Sequence, residues 1–309
     1  MGASRGIAAR QPPTSTSYGS WATVSGMDRL VRNISDTALW VAHYRAVETD
    51  RPDAVFRDPF ARALAGERGE KIARAQTFAD KNAWSFIART YLFDQFILDA
   101  VRGGADLVVN LAAGLDTRPY RMDLPKTLRW VEVDLPEILD YKERILGDAM
   151  PVCRMERVRL DLSDESARRE MFARVAARSS SAVIVTEGLL LYLSPEQVES
   201  LARDLAAVPP FRTWMTDLAS PGLLKMMNAS GGEMVAAAGA PFKFAPPEGP
   251  DYFIASGWKP VKVASLLKAA GRLKRLPFFL KLISLLPEAK RPAPDRPWSA
   301  VIQLARIAG

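Results

Sequence analysis

The residues best placed to do chemistry stand at the ends of short apolar runs. DLVVNL (106–111) runs into Ala112, Ala113 and Gly114, LRWVEV (128–133) ends at Asp134, ERVRL (156–160) ends at Asp161, and AVIVTE (182–187) ends at Glu187. Small side chains let a bulky ligand approach the backbone. A carboxylate at 134, about 20 positions beyond the Gly114 loop, can accept from both hydroxyls of a ribose. The pattern predicts a nucleoside cleft. A dinucleotide fits it poorly, because GxGxxG is missing and Asp116 in the loop would repel a pyrophosphate. S-adenosylmethionine fits better: it carries adenosine without phosphate, and its sulfonium tolerates carboxylates. Each acid also has a structural reading. Asp134 could prepare a helix at Pro136, Asp161 could cap one after Ser163, and Glu187 could belong to an ion pair.

These strand ends converge only if the strands lie side by side. The four runs and TWMTDL (213–218) are separated by segments long enough for helices, which implies a parallel, doubly wound α/β sheet with its ligand crevice at the carboxyl ends of the strands. Two of the helices carry start signals: Pro136 at a first helical position, and Ser194 with Pro195 next and Gln197 three residues on. Residues 36–48 and 81–102 have helical periodicity and precede the first strand. Arg89 lies in the second of these, with Phe86, Leu92 and Phe93 three and four positions away. An arginine in such company either snorkels to water or meets an anion, for which a carboxylate is the bidentate partner.

Composition sets the outer limits. Among 309 residues 48% are hydrophobic and 25% charged, enough to build a large core, so disorder is excluded for most of the chain. The net charge of +7 is spread among acids, and no nucleic-acid motif accompanies it, so a nucleic-acid partner is not expected. Cys153 is the single cysteine, which excludes an internal disulfide and a multi-cysteine zinc cluster and suits a reducing cytoplasm; no metal is expected. Residues 1–20 read as a flexible tail without a signal peptide, and Gly6 stands where N-myristoylation requires Ser or Thr. No apolar run is long enough to span a membrane, and no internal repeat is visible.

DTALWVAHYRAVETDRPDAVFRDPFA (36–61), ART (88–90), NLAAGLDTRPYR, VEVDLPEILDYK, LDL (160–162) and TEGLLLYL (186–193) together resemble the leucine carboxyl methyltransferase family, in particular its bacterial branch of S-adenosylmethionine-dependent methyltransferases. The resemblance continues more weakly from GW (257–258) to WSAVIQLAR. It implies a Rossmann-like, seven-stranded class I methyltransferase sheet whose last, antiparallel strand is WSAVIQLAR. It also implies one domain over 21–309, comprising N-terminal helices (21–103), a cofactor core (104–221) and a C-terminal part (257–309); residues 222–256, with their methionines, glycines and apolar runs, read either as a lid or as ordinary helix and core. By position, Arg89 would hold the cofactor carboxylate beside the acceptor and Gly114 would be the loop glycine. Asp134 would take the ribose, Asp161 and Leu162 the adenine, and Glu187 the methionine portion; Asn110, Ala112 and Leu135 complete the cofactor set. Tyr192 would help Arg89 place the acceptor. Ala112 stands where the family often has glycine, and LKRLPFFLKLISLLPEAKRPAPDRPW (273–298) looks atypical.

The expected reaction is O-methylation of a small lipophilic carboxylic acid. A carboxylate acceptor is already ionised and needs no general base, and the one histidine, His43, reads as an ordinary residue of an amphipathic helix. An Asp or Glu base would leave a phenol or hydroxyl acceptor open, and a catalytically silent S-adenosylmethionine-binding protein is a further alternative. A homodimer is allowed. LLKAAGRLKRLPFFLKLISLL suggests a basic membrane-binding helix, but Pro277 is expected to interrupt it, so membrane contact is not expected.

Overall fold

Among the described residues the N-terminal region supplies three helices, α1 (Asp36–Thr49), α2 (Ala61–Ala75) and α3 (Ala83–Arg102), ahead of β1 (Leu107–Leu111). The short α4 (Arg118–Arg121), β2 (Arg129–Asp134), α5 (Pro136–Leu146), β3 (Arg154–Arg159) and α6 (Glu165–Ala176) follow. Next come β4 (Ala182–Thr186), α7 (Pro195–Ala206), β5 (Phe211–Ala219) and α8 (Pro221–Ser230). The C-terminal part contributes β6 (Trp258–Ser265), α9 (Leu266–Arg272), α10 (Phe278–Leu285) and β7 (Ser299–Arg306). The structure, a computed structural model, describes residues 36–75, 82–230, 241–287 and 293–307. The expected tail (1–20) and residues 231–240 of the candidate lid lie outside them.

The seven strands form one sheet in the order β3-β2-β1-β4-β5-β7-β6. The first five pair in parallel, and β7 runs antiparallel between β5 and β6. WSAVIQLAR therefore takes the antiparallel place expected for it. Every residue of β1 and β4 is buried, as in parallel strands covered by helices on both faces, where apolar runs are continuous rather than alternating. One face packs on α6 and α7 through Phe172, Val198 and Leu205, the other on α3 and α9 through Phe93, Ile97 and Ala270. A third cluster seats α1 and α2 over Leu115 and Ile138, above the loop that follows β1.

The helix-start signals hold at Ser194, which forms a full capping box with Gln197, and at Pro136. The cap after β3 lies elsewhere: Asp164 accepts from Ala167 N, whereas Asp161 accepts from the nearby Ser163 N at 2.8 Å. Pro277 does not interrupt a helix. α9 has already ended at Arg272, and Pro277 is the cap residue of the separate α10. Among the described residues no helix is long and apolar enough to cross a membrane.

Candidate active site

The neighbours of β1 are β2 on one side and β4 on the other, so the connections after β1 and β4 diverge and leave a crevice between them. The loop after β1 lines it with a tight backbone. Gly114 has φ 49° and a Cβ built there would lie 3.4 Å from Ala38 Cβ of α1. Its N–H donates to Asp134 Oδ2 at 2.6 Å, and Leu135 N–H donates to Oδ1 at 2.8 Å. The carboxylate is thereby fixed at the loop with lone pairs to spare. Burial pushes the Asp134 carboxyl above its ordinary value, against the two backbone donors.

Ala112 has φ 51°, a left-handed conformation that costs a residue with a Cβ roughly 1–2 kcal/mol. The loop thus keeps a glycine-like shape without the glycine. Ala112→Gly is expected to stabilise the fold by about 1 kcal/mol, less the extra chain entropy of glycine, read as a higher urea midpoint at unchanged slope. An unchanged or lower midpoint contradicts strain at this residue.

Below the loop lies a buried ion network. Arg118 on α4 is 3% exposed in its side chain and donates to Asp94 at 2.7 Å and Asp116 at 2.9 Å, and it pairs with Glu187 at 2.8 Å. Arg121 grips Asp94 through two 2.7 Å bonds. Burial raises the Asp116 carboxyl, but Arg118, with Lys142 and Arg121 further off, overrides it and brings the pKa down to about 2. Asn110, 2% exposed on β1, donates to Asp116 Oδ2 at 2.8 Å. From α1, Arg45 donates to Leu115 O at 2.6 Å while paired with Asp58. The N-terminal helices therefore clamp the loop.

Arg89 sits across the crevice. Its Nε donates to Glu187 Oε1 at 3.1 Å and its Nη1 to Asp217 Oδ2 at 3.2 Å, with the guanidinium 5.4 Å from the Phe86 ring centre. Burial lowers its pKa, but Asp217 and Glu187 more than offset this and hold it protonated. The arginine has met an anion, as one of its two readings held, though the anions are the protein's own. Gly188 (φ 69°) makes this packing possible, since a Cβ there would lie 3.3 Å from Arg89 Nη1, and its N–H donates to Asp217 Oδ1 at 2.6 Å. Asp217, near the carboxyl end of β5, is absent from the strand-end residues read from sequence, although the same rule would have found it. The half-buried Tyr192 lies beside Arg89; burial raises its phenol against a hydrogen bond from Thr37 and the charge of Arg89.

Two cavities meet at Arg89. The first, about 220 Å³, brings together Arg89, Asn110, Ala112, Gly114, Asp134, Glu187 and Tyr192. The second, about 160 Å³, has walls that include Trp84, Phe86, Leu223 and Phe244, with Asp217 and Arg89 at its polar side. A cavity of about 150 Å³ lined by apolar groups admits a benzene-sized ring, so the second suits a small apolar group. Leu135, Asp161 and Leu162 line neither cavity. Leu135 packs under α1 and α2, Leu162 packs on the sheet core, and Asp161 is exposed. His43 lies against Tyr44 and also lines neither.

Known proteins share this architecture. A DUF574 family protein from Streptomyces avermitilis superposes with TM-score 0.55 at 13% identity, over 86% of this chain and 97% of that one. A provisionally named methyltransferase from Thermobifida fusca gives TM-score 0.56 at 16% identity, over 94% and 100%. At these identities the likeness is one of fold. In sequence, a relative from Parafrankia sp. is 34% identical over 190 residues, 58% of this chain and 61% of its own length. One from Streptomyces coelicolor is 36% identical over 179 residues, 53% and 62%. Both carry the provisional name S-adenosyl-L-methionine-dependent methyltransferase, and the chain spans about three fifths of their length. The family model for leucine carboxyl methyltransferase matches residues 38–206, from the clamping helix α1 through both crevice loops to α7, so the chain belongs to the leucine carboxyl methyltransferase family.

Proposed function

We propose that the protein transfers a methyl group from S-adenosylmethionine to an oxygen of a small lipophilic acceptor, with a carboxylate as the favoured nucleophile. The observation that carries this reading is Arg89, one guanidinium lining both a polar cavity that contains Asp134 and an apolar cavity large enough for a ring.

The donor set suits the cofactor. Asp134 would take the ribose hydroxyls from a fixed position. At the other end, Glu187, Asp217 and Asp116 lie against Arg89 and Arg118, carboxylates that a cationic sulfonium tolerates. The cofactor would supply an electrophilic methyl for in-line displacement. Arg89 orients the acceptor oxygen, Tyr192 offers a protonated hydroxyl beside it, and Trp84, Phe86 and Phe244 exclude water from the acceptor side. An acceptor carboxylate competes with Asp217 for Arg89 Nη1, so binding requires that contact to open.

Asp217 also favours a second reading. A carboxylate lining the apolar cavity is placed to take the proton of a hydroxyl acceptor. One experiment separates the two: the chain is incubated with methyl-labelled S-adenosylmethionine and a host extract, and the product is treated with mild base. Label released as methanol identifies a methyl ester. Base-stable label contradicts the carboxylate and points to Asp217 acting as base. Bound cofactor with no label transferred, across extracts, would favour a silent binding protein.

A further inference from the structure

The C-terminal helix α10 turns most of its apolar side chains to solvent. Phe278 is 78% exposed, Phe279 64%, Leu282 60% and Leu285 79%, and Ile283 and Leu286 are exposed beside them. The spacing i, i+4, i+7 puts Phe278, Leu282 and Leu285 on one stripe and Phe279, Ile283 and Leu286 on the next. A contiguous apolar surface rimmed by polar groups marks an interaction site.

The helix is held in place rather than frayed. Leu280 packs against the core beneath α9. Ser284 sits so close to Gly271 that a Cβ there would lie 2.7 Å from Ser284 Oγ. Lys268 of α9 donates to Ser284 O at 2.8 Å and also to Leu286 O, which ties down the end of the helix. Residues facing α9 are fixed, and those facing away have no partner among the described residues.

The charge along this stretch of the chain has one sign. From residue 252 to 287 the chain contains no Asp or Glu, while it carries seven Lys and Arg. Lys262, Lys268 and Arg275 are engaged within the fold. Arg272, Lys274 and Lys281 are exposed and make no ion pair among the described residues. We infer that α10, with Arg272, Lys274 and Lys281, docks the protein on an anionic lipid surface, its aromatic and aliphatic stripes entering the headgroup and acyl boundary while the cations meet lipid phosphates.

Other occupants match the charge less well. A second copy meeting the same face across a two-fold axis would bring like charges together. The chain's own residues 1–35 carry Arg5, Arg10, Arg29 and Arg32 against Asp28, which repeats the sign of the patch. Leu266 at the start of α9 lines the apolar cavity, so a membrane-bound orientation would hold that cavity near a reservoir of lipophilic compounds. The docking itself does not depend on which acceptor is methylated.

The test is flotation of the full chain with phosphatidylcholine vesicles, with and without phosphatidylglycerol. Binding is expected only with the anionic lipid and is expected to weaken at high salt. Phe278→Ser with Leu282→Ser is expected to lower the partition coefficient roughly tenfold or more, and Lys281→Glu roughly tenfold. All three side chains are exposed, so circular dichroism melting should be unchanged. Failure to float with either vesicle overturns the proposal, as does flotation indifferent to phosphatidylglycerol and to these substitutions. A dimer in sedimentation that Phe278→Ser dissolves, without vesicle binding, would assign the face to a second copy instead.

Discussion

Arg89→Ala is expected to lower methyl-transfer turnover by roughly 10²–10³-fold, the scale on which one preorganised charged donor acts at a reacting centre. Among the described residues the guanidinium is the one cation that lines both cavities, and it touches both Glu187 and Asp217. Removing it also leaves those carboxylates partly buried with weakened compensation, and breaking such a pair lowers stability by about 3–5 kcal/mol. Two further variants distinguish these causes. Arg89→Lys keeps a charge but loses the planar fork that spans two partners, and turnover should remain well below that of the native enzyme although the fold is largely restored. Arg89→Ala combined with Asp217→Asn removes one orphaned charge and should regain stability without regaining turnover. If Arg89→Ala retains cofactor affinity and turnover with any acceptor found, the assignment of Arg89 is wrong.

Arg118→Met is expected to have the largest effect on stability, about 3–5 kcal/mol in urea unfolding at neutral pH. Its side chain is almost fully enclosed and serves Asp94, Asp116 and Glu187 together. The pH dependence provides a sharper reading. The pKa of Asp116 is lowered from 3.8 to about 2 in the folded protein, so its pairing contributes roughly 2 kcal/mol at neutral pH. That contribution is complete above the ordinary carboxylate value and is lost as pH falls through about 2. In Arg118→Met the orphaned carboxylates are relieved by protonation, and the gap between variant and native protein should narrow as pH drops below about 4. A gap that stays constant with pH would mean that the loss comes from packing rather than charge.

What was legible in the sequence followed from rules that act locally or at strand ends. The runs ending at Gly114, Asp134 and Glu187 form β1, β2 and β4, and their carboxyl ends do meet in one crevice. The cap at Ser194 needed only its four-residue signature. The same rule brought Asp161 to the edge of the sheet but not into either cavity, because β3 is the outermost strand and two positions away from β1. Asp217 went unread although it obeys the rule. Its importance depends on Arg89 and Gly188, which are distant in sequence and meet it only after folding.

Two elements left weak patterns. α2 contains Gly66 at φ 56° and Gly69 pressed against Leu39 O, which breaks the helical period where α1 crosses it. β6 is an edge strand exposing Lys259, Val261, Lys262 and Val263 around Pro260, features that protect an edge from further pairing and hide its alternation. The network of Arg118 was invisible for another reason: RPYR gives no sign of burial until Asp94 of α3 and Glu187 after β4 close around it.

The central claim, that the crevice between β1 and β4 holds S-adenosylmethionine by its ribose at Asp134, is tested most directly by calorimetric titration of that compound into the intact chain and into Asp134→Ala. One binding site is predicted, with affinity roughly 10–100-fold weaker in the variant, as expected for losing charge-assisted hydrogen bonds. Burial raises the Asp134 carboxyl, so native affinity should begin to fall on the acid side at a pH above that of an ordinary aspartate, and the variant should lack this fall. Absence of binding to the native chain, or equal affinity in both proteins, would contradict the claim.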